Sequence, residues 1–71
     1  MTKAEMIATI IKNPNTRFTH NLFAEEEYIY SKEDGNIYDE CGCLFEDWHS
    51  TFNCGIRIRT GEEWEKGWRT Y

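Results

Sequence analysis

The sequence predicts an α+β domain, one N-terminal helix packed on an antiparallel sheet of about five short strands forming a β-meander, as a single unit over residues 1–71. Three observations carry that expectation. A capping signature lies at Thr2-Lys3-Ala4-Glu5, the apolar period changes from helical to alternating at Thr16, and a seven-residue pattern with a turn glycine occurs twice in tandem.

The helix comes first. In a capping box the Thr2 hydroxyl accepts from the Glu5 amide while the Glu5 carboxylate accepts from the Thr2 amide, so two orphan donors are satisfied reciprocally. Met6, Ile7, Ile10 and Ile11 then recur at helical spacing as one apolar stripe. Asn13-Pro14 ends it, because proline disfavours helical backbone in the residue before it.

Strands follow. Thr16 to His20 is a short strand anchored by Phe18, and Glu27 to Lys32 is a second, with Tyr28 and Tyr30 on one face and Ile29 on the other. Asp34-Gly35 predicts a tight primed hairpin turn, which needs positive φ. The tandem pattern is Asp34-Gly35-Asn36-Ile37-Tyr38-Asp39-Glu40 followed by Cys41-Gly42-Cys43-Leu44-Phe45-Glu46-Asp47. Each copy reads turn glycine, spacer, aliphatic, aromatic, acid, acid, the mark of two short strands with their aliphatic and aromatic side chains on opposite faces. Trp48 to Asn53 is a polar-aromatic loop or a ragged strand end, and Ile56-Arg57-Ile58-Arg59 alternates as a strand with its arginines outward. Gly61 to Lys66 is a turn or a single helical turn, and Gly67 to Tyr71 a last strand.

Charge narrows the partners. Eight Lys and Arg against thirteen Asp and Glu leave a net charge of -5, which repels phosphate backbones and anionic membranes and attracts basic surfaces. Direct nucleic-acid binding and membrane binding are therefore not expected. No apolar run approaches a spanning helix and no leader pattern is visible, so the expectation is a soluble, cytoplasmic chain.

Catalysis finds no motif: there is no nucleophile elbow, phosphate loop, dinucleotide fingerprint or His-Glu-x-x-His pair, and the expectation is a chain that is not an enzyme and carries no cofactor. His20 and His49 are its imidazoles. Cys41, Cys43, His49 and Cys54 offer three thiolates and an imidazole, a tetrahedral zinc set in composition, although Cys41 and Cys43 are closer together than usual. The alternative makes Cys43 and Cys54 small half-buried side chains and puts Cys41 in a turn.

Acid pairs recur about once per strand, near turns. Glu26 and Glu27, Glu33 and Asp34, Asp39 and Glu40, then Glu46 and Asp47 are expected to line one edge of the sheet, a row of carboxylates resembling a phosphate backbone. Solubility and blunting of sheet edges are the competing explanation. Trp48 and Trp64, beside acids and turns, are expected to be more exposed than Trp68 and to serve as apolar anchors for a partner.

In its order of elements the chain resembles small accessory proteins of phages and prophages. The carriers are the amphipathic helix, Glu27-Tyr28-Ile29-Tyr30, the Asp34–Glu40 hairpin, Leu44-Phe45-Glu46-Asp47-Trp48 and a terminal Gly67-Trp68-Arg69 strand. Some relatives of that kind inhibit bacterial defence, by plugging a nuclease or by sequestering a nucleotide signal as the Thoeris anti-defence proteins do. The resemblance implies a non-enzymatic inhibitor in the host bacterial cytoplasm. It would bind a host protein with a basic surface, such as a CRISPR effector nuclease, through the acids and indoles named above. Two alternatives stay open: an oligomeric sponge holding a nucleotide between Tyr28, Tyr30, Trp68 and Arg57, Arg59 or Arg69, and a zinc-stapled interaction module. A structural subunit with no inhibitory role is a further possibility.

Overall fold

The computed structural model describes residues 1–45 and 61–71. Within them the order is α1 (Lys3–Lys12), β1 (Phe18–His20), β2 (Ile29–Ser31), β3 (Ile37–Asp39), α2 (Gly61–Glu65) and β4 (Trp68–Thr70). The fold class is α+β, with one antiparallel sheet of four strands rather than five among the described residues, ordered β3-β2-β1-β4. Only the first three strands meander; β4 returns to pair with β1, Phe18 opposite Thr70 and His20 opposite Trp68. Strand expectations over Glu46–Asp47 and Ile56–Arg59 lie outside the described residues.

The capping box forms, with Glu5 N donating to Thr2 Oγ1 at 3.1 Å and Thr2 N to Glu5 Oε1 at 2.9 Å. Met6 and Ile10 are wholly buried against the sheet and Ile7 packs beside them, whereas Ile11, expected in the same stripe, is 47% exposed. The sheet is only a few residues long and covers a narrower arc of the helix than the stripe offers. The Ile10 carbonyl, orphaned at the helix end, accepts from Asn13 N at 3.3 Å and from the buried Ser31 hydroxyl at 2.5 Å. Asn15, at φ 70, then turns the chain and donates its N–H to Ser31 O at 2.8 Å. Asparagine tolerates that left-handed backbone better than most residues.

The tandem pattern becomes two turns of one design. Gly35 N donates to Lys32 O at 3.0 Å and Lys32 N to Asn36 O at 3.1 Å; seven residues on, Gly42 N donates to Asp39 O at 3.0 Å and Asp39 N to Cys43 O at 2.8 Å. Positive φ falls on Gly35 and Gly42 and not on Asp34, so the first turn is the three-residue kind ending in a glycine bulge, not the primed two-residue turn expected. After the second turn the chain pairs again, Leu44 bridging Tyr38 and Phe45 N donating to Ile37 O at 2.9 Å. Antiparallel pairing sets Phe45 on the Ile37 face, so the second copy buries its aromatic residue and leaves Leu44 53% exposed.

The core gathers Met6, Ile10, Phe18, Ile29, Phe23, Phe45, Trp64 and Trp68. Trp64, expected at the surface, is 1% exposed: α2 turns its indole inward, where it lies 4.7 Å from the Trp68 ring and its carbonyl accepts from Trp68 Nε1 at 2.9 Å. A domain this small needs both indoles to bury enough area. Outside the core, Lys3 reaches Glu65 at 3.0 Å and ties α1 to α2 at the surface. Trp64→Ala should cost about 3–5 kcal/mol in chemical denaturation, the range for emptying an aromatic core position. Gly67 sits at φ 85, and a Cβ there would lie 2.8 Å from Asn21 Nδ2 and 3.3 Å from His20 Nε2, while one at Gly35 meets nothing. Gly67→Ala should therefore lower the unfolding midpoint more than Gly35→Ala, which carries only the left-handed backbone cost of about 1–2 kcal/mol.

Candidate interaction surfaces

Antiparallel register decides where the charged connections go. β1 and β3 finish at the end of the sheet where β2 and β4 begin. The loop carrying Glu25, Glu26 and Glu27, the turn carrying Asp39 and Glu40, and the helical turn carrying Glu62 and Glu63 therefore all lie at that end, spread from edge strand β3 to edge strand β4. Glu33 and Asp34 stand at the opposite end, in the turn between β2 and β3. The acids do not form a row along one edge. Glu46, Asp47 and Trp48 lie outside the described residues, and Trp64 is in the core, unavailable as an anchor.

Several of these carboxylates hold their own loops. Glu27 Oε1 accepts from Ala24 N at 2.6 Å, and Asp39 Oδ1 accepts from Cys41 N at 2.9 Å and Cys43 N at 3.0 Å. Asp34 accepts from Asn36 N at 2.9 Å and from the Tyr38 hydroxyl at 2.5 Å. The Tyr38 hydrogen bond, helped by the Asn36 amide, holds the Asp34 carboxyl below the usual aspartate range, and the same bond raises the Tyr38 phenol. Local bonds of this kind fix the direction of a negative charge without neutralising it.

The opposite face of the sheet carries a different chemistry. Tyr28, Tyr30 and Lys32 on β2 and its flank, Tyr38 on β3, Leu44 beyond it, and Arg17, Arg69 and Tyr71 beside β1 and β4 alternate with the core residues and so point away from α1. Ring centroids run from Tyr71 to Tyr28 at 4.9 Å, Tyr28 to Tyr30 at 6.1 Å and Tyr30 to Tyr38 at 6.1 Å, a continuous aromatic ladder across the strands. Arg17 lies 4.6 Å over the Tyr28 ring and Lys32 4.3 Å over the Tyr38 ring. Arg69 donates to Asn21 Oδ1 at the acidic end.

Of the residues assigned to a nucleotide sponge, Tyr28 and Tyr30 share this face, Trp68 is buried on the other side, and Arg57 and Arg59 lie outside the described residues. The depression around Tyr28 and Tyr30, lined also by Asn15 and Arg17, holds about 270 Å³. That is below the usual range of roughly 300–1,000 Å³ for ligand pockets. Local sequence pattern does not mark Arg17, Lys32, Tyr38, Tyr71 and Leu44 as members of one surface. The alternation Arg17-Phe18-Thr19-His20 and the step from Tyr30 to Lys32 are the parts of that surface the sequence carries.

His20 is a core residue, 2% exposed, between the Trp64 and Trp68 rings at 4.9 and 4.6 Å. Its Nδ1 accepts from Leu22 N at 2.9 Å and its Nε2 donates to Lys66 O, so both nitrogens hold backbone. Cys41 occupies the second turn as expected, but Cys43 is exposed rather than half-buried. Ligand atoms of Asp39, Glu40 and Cys41 lie within 4.8 Å of one another. Glu40 and then Asp39 push the Cys41 thiol up, which keeps it protonated at neutral pH. His49 and Cys54 of the expected zinc set lie outside the described residues. Among the described residues no helix is long and apolar enough to cross a membrane.

No family model matches this chain, and no curated protein or solved structure is significantly similar to it.

The Asp34–Tyr38 bond gives a pH prediction with a definite sign. A carboxyl lowered in the folded state stabilises above its ordinary range, and that contribution disappears as pH falls through the lowered folded value. A phenol raised in the folded state stabilises below its ordinary value and stops doing so as pH rises through the raised one. Tyr38→Phe should therefore shift the Asp34 carboxyl titration, followed by NMR, upward toward an ordinary aspartate.

Proposed function

We propose that this chain is a non-enzymatic binding protein that seats its acidic end on the basic surface of another protein. The partner assigned is one whose basic surface ordinarily holds nucleic acid, such as a defence nuclease of a bacterial host, which the chain would inhibit by occupancy. The observation that supports the reading is that three separate acid-bearing connections lie at the same end of the sheet, with Glu26, Glu27, Asp39 and Glu40 among their acids.

Physical chemistry supports this in two ways. Carboxylates on hydrogen-bonded turns are held in place before the partner arrives, so less ordering entropy opposes binding than for charges on floppy side chains. A concentrated negative end on a chain of net charge -5 also steers encounter with a basic surface and speeds association at low salt. Glu33 and Asp34, at the far end, stand apart from this contact. The reading places no chemistry on His20, whose nitrogens are engaged with the backbone of Leu22 and Lys66.

The test is competition on a bacterial nucleic-acid-binding protein recovered with the immobilised chain at low salt. Wild type should displace single-stranded DNA from that protein, and the triple variant Glu26→Lys, Glu40→Lys, Glu63→Lys should do so at least about tenfold less well. Equal displacement by the variant, or a captured protein that keeps its DNA, overturns the proposal.

A further inference from the structure

The two glycine turns share a backbone but not a chemistry. Matched by their hydrogen bonds, Lys32, Glu33, Asp34, Gly35 and Asn36 of the first correspond to Asp39, Glu40, Cys41, Gly42 and Cys43 of the second. On either side of its glycine the first turn has Asp34 and Asn36, residue types that turns favour. The second has a thiol at both positions, and an acid where the first has Lys32. Neither thiol packs into the core: Cys41 and Cys43 are both exposed and free, although cysteine is among the most buried residue types. The turn itself does not require these side chains, since its twin forms without them.

The donor atoms of the second turn converge. Ligand atoms of Asp39, Glu40 and Cys41 lie within 4.8 Å of one another. Asp39 stands across the turn from Cys43, its N–H donating to Cys43 O at 2.8 Å. Asp39 Oδ1 accepts from the Cys41 amide at 2.9 Å and the Cys43 amide at 3.0 Å, which ties the backbone of both cysteines to one carboxylate, while Oδ2 takes no hydrogen bond among the described residues. Two sulfurs and a carboxylate oxygen suit a thiophilic divalent cation of the zinc class, whereas magnesium and calcium prefer an all-oxygen set. Glu40 and then Asp39 hold the proton on Cys41 when no cation is near. A divalent cation reverses that balance, and each thiol gives its proton to solvent as its sulfur binds.

We propose that the turn from Asp39 to Cys43 is a zinc site, with the Cys41 and Cys43 sulfurs and Asp39 Oδ2 as its ligands and the Glu40 carboxylate adding negative charge beside them. Three protein donors leave one position of a tetrahedral ion to solvent. The site needs neither His49 nor Cys54, and in this it differs from the four-residue set that composition suggests. It goes beyond the partner binding proposed above. The two meet in one consequence, that an ion bound in this turn offsets part of the negative charge at the acidic end.

Metal titration of the reduced chain tests the site, with zinc affinity read by competition against a chromophoric chelator and cadmium as a probe of thiolate-to-metal charge-transfer absorption. Wild type should bind zinc stoichiometrically and show that absorption with cadmium. The double variant Cys41→Asp, Cys43→Asn copies the first turn into the second. It should keep the circular dichroism spectrum, lose the absorption and bind zinc at least about tenfold more weakly. Asp39→Asn, which keeps an oxygen for the two amides but removes the charge, should weaken binding as well. The double variant His49→Ala, Cys54→Ser should bind as wild type does. A wild-type chain that takes up no zinc, binding that survives either replacement in the turn, or binding lost with His49 and Cys54 overturns the proposal. No partner protein or DNA enters the titration, so its failure leaves the proposed function untouched, and failure of the competition assay leaves the zinc site untouched.

Discussion

The structure depends on one packed contact, the imidazole of His20 held between the indoles of Trp64 and Trp68. Neither indole can be buried without bringing its own segment with it, so α2 and β4 are drawn onto β1 by the same three rings. Trp68 Nε1 and both imidazole nitrogens inside this contact are satisfied: Trp68 Nε1 donates to Trp64 O, His20 Nδ1 accepts from Leu22 N, and His20 Nε2 donates to Lys66 O. Pairing those three nitrogens removes the desolvation penalty that would otherwise offset the burial of so much aromatic surface. Gly67 is the backbone condition for the contact, since its missing side chain is what lets the chain pass close beside Asn21 and His20.

A second device, the repeated glycine-bulge turn, sets the parity of everything on the β2–β3 side. Each such turn uses an odd number of loop residues, and the pairings it imposes, Tyr30 with Tyr38 and Tyr38 with Leu44, keep one set of side chains outward. Ile29, Ser31, Ile37 and Phe45 are thereby delivered to the helix side. A slip of one residue in either turn would exchange the two faces, placing phenols against α1 and aliphatic residues in water.

These two constraints produce an uneven distribution of charge that the topology makes and the composition hides. The acids occupy connections, and antiparallel strands alternate the ends at which connections occur. Loops after β1 and β3 share an end with the segment before β4, which concentrates carboxylates there. The cations that remain on the open face sit next to tyrosines, which hold them by ring contacts rather than by ion pairs. Arg17 and Lys32 share their end of the sheet with Glu33 and Asp34, so cations and carboxylates stand side by side there, whereas carboxylates predominate at the other end.

What the sequence determined by itself was local. The capping box, the stop at Asn13-Pro14, the alternation of Tyr28, Ile29 and Tyr30, and the tandem glycine turns all involve atoms within a few residues of one another, where spacing alone sets the chemistry. Burial and assembly were decided by the tertiary structure. Trp64 reads as exposed beside Glu62, Glu63 and Glu65, and it is buried because a five-residue helix, α2, turns that single side chain toward Trp68 and His20. Leu44 and Phe45 read as equivalent to Ile37 and Tyr38, and they exchange faces because antiparallel pairing, not position in the repeat, assigns a residue to a face. The placing of β4 beside β1, on which the acidic end and the open tyrosine face both rest, is a pairing between residues far apart in the chain, and no local pattern encodes it.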